Sequence, residues 1–416
     1  MDRLAGRPDG HPDPRGPRAP FHLPGRARRR ALLRGLSRRC AFSSPPPPSS
    51  GTWCPCSASP ERSATPGHEV LFATHPSAHH HVAGAGFDVA GAGLSGAEVN
   101  AERLRRWPDS ASRPATEWGV RMWARIAAPA MAADLAPVIR SWRPGLLLHE
   151  EGEYGGPAAA AAAGVPWVTH AWGSPLRPAA DLRALEVEVE ASGVWAGVPM
   201  APAAGLYAHC LLNPCPPFLE GRPPVPRSWP VRPSVLGGTP PSTDAAGRRA
   251  CYIGFGTVPA FAGAPLPILA AARSALRCGH EVIATTSDPE LAESLSGLGV
   301  DVRRFVSLPA VLRRCAVAVT HGGAGTTLAA LAAGVPVVAV PQGAPSQERM
   351  ATAVERAAVG ICARSAAEVE AAVAAASTDP ALHERAAEAA HRIAAMPSPE
   401  SVVAVLEAVA SGSLPA

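Results

Sequence analysis

The stretch VAVTHGGAGTTLAALAAGVPVVAVPQG (residues 317–343) decides how this chain is read. VAVT is a short apolar run bounded by a turn, the mark of a strand buried in a sheet. His321 follows, and Gly322, Gly323, Ala324 and Gly325 then make a turn without side-chain bulk. Thr326 and Thr327 open an Ala- and Leu-rich helix that ends at Gly334, and Val-Pro leads at once into a second apolar strand closing on Pro341-Gln342-Gly343. Strand, turn, helix and strand in this order form a crossover unit, which requires a parallel sheet.

The turn also has a chemistry. Free N–H groups at the start of a helix, together with the positive end of its dipole, favour an anion, phosphate above all. His321 adds a donor and Thr326 a hydroxyl. A bare Gly-Gly-x-Gly would suggest only tight packing; the His before it, the Thr pair after it and the Val-Pro strand point to phosphate. A second turn, YIGFGTV, follows another strand with Gly254, Gly256 and Thr257. Ligands of parallel sheets gather at the carboxyl ends of strands, so Gly256, Thr257 and His321 are expected to face one crevice. Gly-Lys-Ser/Thr is absent, which excludes a P-loop, and no GxGxxG with an acid about 20 residues on supports a dinucleotide site.

Outward from this stretch the same grammar repeats. Strand-like runs occur at 69–74, 145–149, 166–170, 250–255, 280–285, 317–320 and 336–341, separated by Ala-rich helical windows. AGVPWVTHAWG (163–173) and AGVPVVAVPQG (333–343) share one helix–Gly–Val-Pro–strand design. The expected fold is α/β, two Rossmann-like domains with parallel sheets facing across a cleft. The expected boundaries are 67–220 for the N-terminal domain, 221–248 for a Pro/Gly/Ser-rich linker, 249–395 for the C-terminal domain, and 396–416 for a final helix and tail.

Charge and composition narrow the function. All 38 basic residues are Arg, the composition of a GC-rich coding sequence. Residues 1–66 hold 12 Arg against 4 acids, so the net charge of +4 hides a remainder with 26 basic and 30 acidic residues. The basic segment lacks the interleaved aromatics of a nucleic-acid surface. No run reaches the roughly 18 apolar residues of a membrane span, and the 9 Cys, without a secretory core, read as reduced thiols in a cytoplasmic protein. His149, His170 and the triplet His79-His80-His81 lack a Glu, Asp or Cys set spaced to complete a metal site.

On these motifs the chain resembles the nucleotide-sugar glycosyltransferases of the two-Rossmann-domain (GT-B) type, and is most similar to actinobacterial enzymes that decorate polyketides and other natural products. The resemblance runs from Gly67 to about Gly360. It implies inverting transfer of a sugar from a thymidine or uridine diphosphate donor to a hydroxyl of a small aglycone, without metal or other cofactor. The C-terminal domain would bind the donor and the N-terminal domain the acceptor. By position, Phe305 and Val306 would lie beside the base; Gly256, Thr257, His321, Gly322, Gly323, Gly325 and Thr326 would hold the diphosphate; Gln342, Ser346 and Gln347 would face the sugar. Glu150 sits where relatives place an acid that supports the catalytic base.

Two departures stand out. Relatives read Gly-Ala-Asp-Gln and then Asn-Ala, whereas GAPSQERMA (343–351) has one extra residue, with Ser346 and Met350 at the acid and Asn positions. Ser346 is the weaker partner, which implies a deoxygenated sugar or weaker donor binding. Relatives also begin with a strand, a Gly-His loop carrying the base, and a helix leading into AGHEV. Here only GHEV is recognisable, so the first strand, the helix and the base His are expected to be missing.

The segment RRCAFSSPPPPSSGTWCPCSASPERSATPG (38–67) occupies that place. Read one base out of register with GC-rich codons, it permits RVLFAPAPFFGHLVPLLRLARALRDAG, which supplies strand, Gly-His and helix in order. Residues 40–66 are therefore read as a frameshifted segment and 1–39 as out-of-frame upstream sequence; the alternative is a disordered Arg/Pro-rich extension. Two other functions share the architecture: a nucleotide-sugar epimerase or hydrolase, and a non-catalytic protein that binds the nucleotide sugar or supports another transferase. Trp107, Trp118 and Trp123 are candidates for an acceptor wall, though near-helical spacing of the last pair favours core packing.

Overall fold

The structure is a computed structural model that describes residues 39–43, 68–112, 115–221, 225, 227–234, 247–256 and 267–413. The described residues cluster as one compact unit.

Thirteen strands form two all-parallel sheets among the described residues. The first contains β1 (Arg39–Ser43), β2 (Glu69–Thr74), β3 (Asp88–Gly91), β4 (Leu146–Glu150), β5 (Trp167–His170), β6 (Cys210–Asn213) and β7 (Ser228–Pro230), in the order β3-β2-β1-β4-β5-β6-β7. The second contains β8 (Ala250–Gly254), β9 (Glu281–Thr285), β10 (Asp301–Arg303), β11 (Cys315–Thr320), β12 (Val337–Ala339) and β13 (Gly360–Cys362), in the order β10-β9-β8-β11-β12-β13. Each order reverses once, between β1 and β4 and between β8 and β11. That reversal is the switch point beside which doubly wound sheets bind ligands.

Each sheet is covered on both faces, so its strands read as unbroken apolar runs. Along β8, Ala250 and Tyr252 enter one core cluster and Cys251 and Ile253 the other. Along β4, Leu147 enters one and Leu146 and Leu148 the other. The alternation is the period of two that a strand imposes on its side chains.

The first strand is where the sequence reading is corrected. Arg39–Ser43 pairs in parallel with β2 (Ala41 opposite Leu71) and with β4 (Ser43 opposite His149), so the central slot of the first sheet is filled. A parallel sheet with both neighbours in place offers two open rows of backbone donors and acceptors, and five residues suffice to satisfy them. The rest of the segment read as frameshifted, 44–66, and residues 1–38 lie outside the described residues. The linker is also revised: Ser228–Pro230, within 221–248, adds β7 to the first sheet against β6.

The stretch Pro380–Ala410 holds an 18-residue window long and apolar enough by composition to cross a membrane, with mean hydropathy 1.3. It is instead two helices, Pro380–Ala394 and Val402–Ala410, broken at Ser398-Pro399. Leu382, Ala389 and Ile393 pack into the cores of the second sheet, whereas Val402, Val405 and Val409 join Leu146 and Leu148 under the first. The chain thus returns to its first sheet at its end.

Candidate active site

The glycine-rich turn lies at the switch point of the second sheet. β8 delivers Gly256 and β11 delivers His321, one on each side of the reversal. A Cβ on Gly256 would lie 2.6 Å from Cε1 of His321, and one on Gly323 would lie 2.3 Å from its Nε2, so the imidazole is held between two bare backbones. Gly256 and Gly322 have φ of +74° and +78°, the left-handed region that side chains rarely adopt. Burial pushes His321 down to about 4, opposed by the nearby Gly254 backbone, so the ring is neutral near pH 7.

The helix Ala324–Ala332 starts at Gly323 without any side-chain cap. Its first internal bond runs from Thr327 N–H to the Gly323 carbonyl at 3.0 Å, which leaves the preceding N–H groups without helical acceptors. Gly325 is exposed, with nothing within 4 Å of a Cβ placed there. Thr326 is half-buried beside it, whereas Thr327 is fully buried. Thr257 lies outside the described residues.

Next to this turn, the loop after β12 is braced by its two glutamines. Gln347 Oε1 accepts from Gln342 N–H at 2.8 Å, and Gln342 Nε2 donates to the Val340 and Pro341 carbonyls at 2.9 and 3.3 Å. The carboxamide nitrogen of Gln342 is therefore committed to its own loop. The Gln347 carbonyl lies 2.9 Å from the Cβ position of Gly322, which joins this loop to the glycine-rich turn. Ser346 is half-exposed in the first turn of the helix Pro345–Arg356, and Met350, at the family's Asn position, is fully buried in the core. Phe305 and Val306 follow β10 on the same carboxyl edge. Phe305 is 74% exposed, the most exposed large apolar side chain described, while Val306 anchors the loop in the core.

Glu150 ends β4, at the switch point of the first sheet. It is buried; its Oε2 accepts from Gly152 N–H at 3.0 Å and from the indole N–H of Trp172. Burial pushes it up to about 7, with the two hydrogen bonds opposing and Glu153 and Glu151 adding repulsion. Its neighbours are occupied structurally. Glu151 faces Arg177 Nε at 3.5 Å, and Glu153 accepts from Gly155 and Gly156 N–H at 2.6 and 2.8 Å, capping the helix Gly155–Ala162. His149 bonds the Thr169 hydroxyl at 2.7 Å and the Glu153 carbonyl at 2.9 Å, the contacts of a core histidine. No three His, Cys, Asp or Glu side chains converge as a metal-ligating group among the described residues.

The two sheets' halves meet near these switch points. Leu328, on the helix Ala324–Ala332, places Cδ1 2.7 Å from the Cβ position of Gly173, next to Trp172. Trp172, Arg177 and Arg349 escaped the sequence reading; the acid-rich HEEGE and the AWG after β5 were their only signals. Of the three tryptophans, Trp107 and Trp118 stack at 5.5 Å with Arg121 over both rings, whereas Trp123, on a π-helical turn (Trp123–Ala127), lines a crevice with Leu94, Met131 and Tyr154.

Two Rossmann-like parallel sheets, each with a single switch point, give the GT-B arrangement. Comparison with known proteins places it further. The N-terminal and C-terminal domain models of Erythromycin biosynthesis protein CIII-like proteins match residues 63–191 and 271–409, together well over half of the chain. The chain belongs to this EryCIII-like family of natural-product glycosyltransferases. It is 29% identical over 314 residues to the elloramycin glycosyltransferase ElmGT of Streptomyces olivaceus, covering 73% of this chain and 77% of ElmGT. Among solved structures it is similar to SsfS6 of Streptomyces sp. SF2575, solved with thymidine diphosphate (TM-score 0.68, 24% identity, 89% of this chain and 99% of that one). It is also similar to SnogD of Streptomyces nogalater (TM-score 0.67, 25% identity, 89% and 99%).

Proposed function

We propose that the chain transfers a sugar, with inversion, from a thymidine or uridine diphosphate donor to a hydroxyl of a small natural-product acceptor. The observation that carries this is His321, neutral and held between Gly256 and Gly323 beside an uncapped helix N-terminus at a switch point. Donors fixed there stabilise the charge that builds on the leaving diphosphate, and they do so without rearranging during reaction. Phe305 offers its exposed ring to the base, Gln347 and Ser346 face the sugar, and the acceptor enters over Glu150 and Trp172 on the N-terminal side. The thymidine diphosphate complex of SsfS6 supports thymidine as the first donor to test.

A second reading, nucleotide-sugar binding without turnover, rests on the sequence after β1. Ser43 lies opposite His149, so β1 ends beside the end of β4 that carries Glu150, yet no histidine occurs from Ala41 to Gly67. An inverting transfer needs a base there to take the acceptor proton. We propose that the register-shifted segment, with its Gly-His, is the active form. The deciding experiment resequences codons 36–70 and assays both chains for thymidine diphosphate release with and without an acceptor. Release only with acceptor and only from the shifted chain supports the transferase. Equal release by both chains overturns the register reading, and release without acceptor favours a hydrolase.

A further inference from the structure

The helix Pro345–Arg356 carries the sugar-facing residues at its start, and arginines along it reach the other half of the protein. Arg349 donates from Nε to the Pro175 carbonyl at 2.9 Å, with Asp181 3.9 Å from its Nη1. Arg356 donates to the Leu219 carbonyl. These acceptors are themselves joined: Leu176 N–H donates to Glu220 Oε1 at 2.9 Å, and Asn213 Nδ2 donates to Glu220 Oε2 at 3.2 Å. The bonds close a circuit from the donor-side helix, through Arg349, to the loop after β5, then through Glu220 and Leu219 to Arg356 and back.

The loop on this circuit is the one that carries Trp172, whose indole holds Glu150. Only Gly173 and Ser174 separate Trp172 from Pro175, and Gly173 is packed against Leu328 of the helix Ala324–Ala332. A displacement of the donor-side helix is therefore delivered by Arg349 to the loop that positions the acceptor-side carboxylate. A planar guanidinium with fixed N–H directions suits this task better than a flexible ammonium.

We propose that Arg349 is a positioning residue for glycosyl transfer, coupling the donor-side helix to the Trp172 loop so that an occupied donor site sets Glu150 in register with the acceptor. This rests on the proposed function, because it assigns that reaction's geometry. Reacting groups lose rate steeply when misplaced by about 1 Å, whereas ground-state binding to the phosphate turn does not need Arg349.

The test uses the full chain, with thymidine diphosphate as probe, calorimetry for binding, and Trp172 emission taken as the difference between each protein and its Trp172→Phe counterpart. In Arg349→Ala, nucleotide affinity should stay within about threefold while the Trp172 response falls about tenfold, and the same substitution in the register-shifted chain should lower kcat about tenfold with donor KM unchanged. Arg349→Lys, which keeps one donor toward Pro175, should recover part of both. Glu220→Gln, which weakens the other limb without removing an arginine, should reproduce the loss if Arg349→Ala does not fold. An unchanged Trp172 response in Arg349→Ala, or in Glu220→Gln where that variant stands in, overturns this inference alone. A wild-type chain that binds no thymidine diphosphate overturns the proposed function and this inference together.

Discussion

Nε2 of His321 lies 2.3 Å from where a Cβ of Gly323 would stand. No side chain is tolerated there without moving the imidazole. Gly323→Ala should therefore weaken thymidine diphosphate binding by about tenfold or more, as His321→Ala should through loss of one hydrogen bond to a charged group, worth about 1.5–3 kcal/mol. Gly325→Ala meets open space and should bind nearly as the parent does. Calorimetric titration of the three variants checks the contrast; equal losses at Gly323 and Gly325 would refute the assigned position of the ring.

Stability should fall steeply in mild acid. Burial holds His149, His170 and His321 each down to about 4, against an ordinary value of 6.5. The unfolded chain therefore binds more protons than the folded one between these values, so folding is favoured above pH 6.5 and progressively lost toward pH 4. Glu150 has the opposite sign. Its raised value favours folding below its ordinary 4.5, and that contribution is lost as pH rises through about 7. Glu150→Gln should thus raise stability at pH 8 by about 2 kcal/mol and remove any activity step near pH 7. Urea titrations at pH 5, 6.5 and 8 measure both effects.

Phe305 separates binding from folding. At 74% exposure its ring contributes little to the core, so Phe305→Ala should change stability by less than about 0.5 kcal/mol. Stacking on a base is worth about 1–3 kcal/mol, so nucleotide affinity should fall roughly tenfold. Thermal unfolding beside a nucleotide titration decides; unchanged affinity would remove Phe305 from the base site.

Met350 makes the reverse prediction. It occupies the family's Asn position but is fully buried, so Met350→Asn should not restore a sugar contact. Burying a carboxamide in place of a thioether among Leu328, Leu331 and Val354 should cost about 2–5 kcal/mol. A variant as stable as the parent, with tighter sugar binding, would contradict this.

The strands that the sequence revealed were those buried on both faces, β2, β4, β5, β8, β9, β11 and β12, because double burial writes a continuous apolar run. The glycine-rich turn was legible for a similar local reason: consecutive glycines between a strand and a helix leave few other conformations. The strands that escaped are short or near an edge, such as Asp301–Arg303 and Ser228–Pro230, whose pattern is too brief to stand out. β1 escaped differently. Arg39–Ser43 has little strand character of its own, and its place follows from the open hydrogen-bonding rows of β2 and β4.

Sequence alone therefore determined the α/β class, the two halves, and the glycine-rich strand–turn–helix around Gly322 to Gly325, since each is written in neighbouring residues. Only tertiary structure decided which groups meet: Gly256 against His321, Trp172 on Glu150, and Arg349 on Pro175, 174 positions apart in the chain. Such contacts depend on how two sheets pack their carboxyl ends together. No local pattern encodes that arrangement, because the free energy that selects it is shared among many residues distant in sequence.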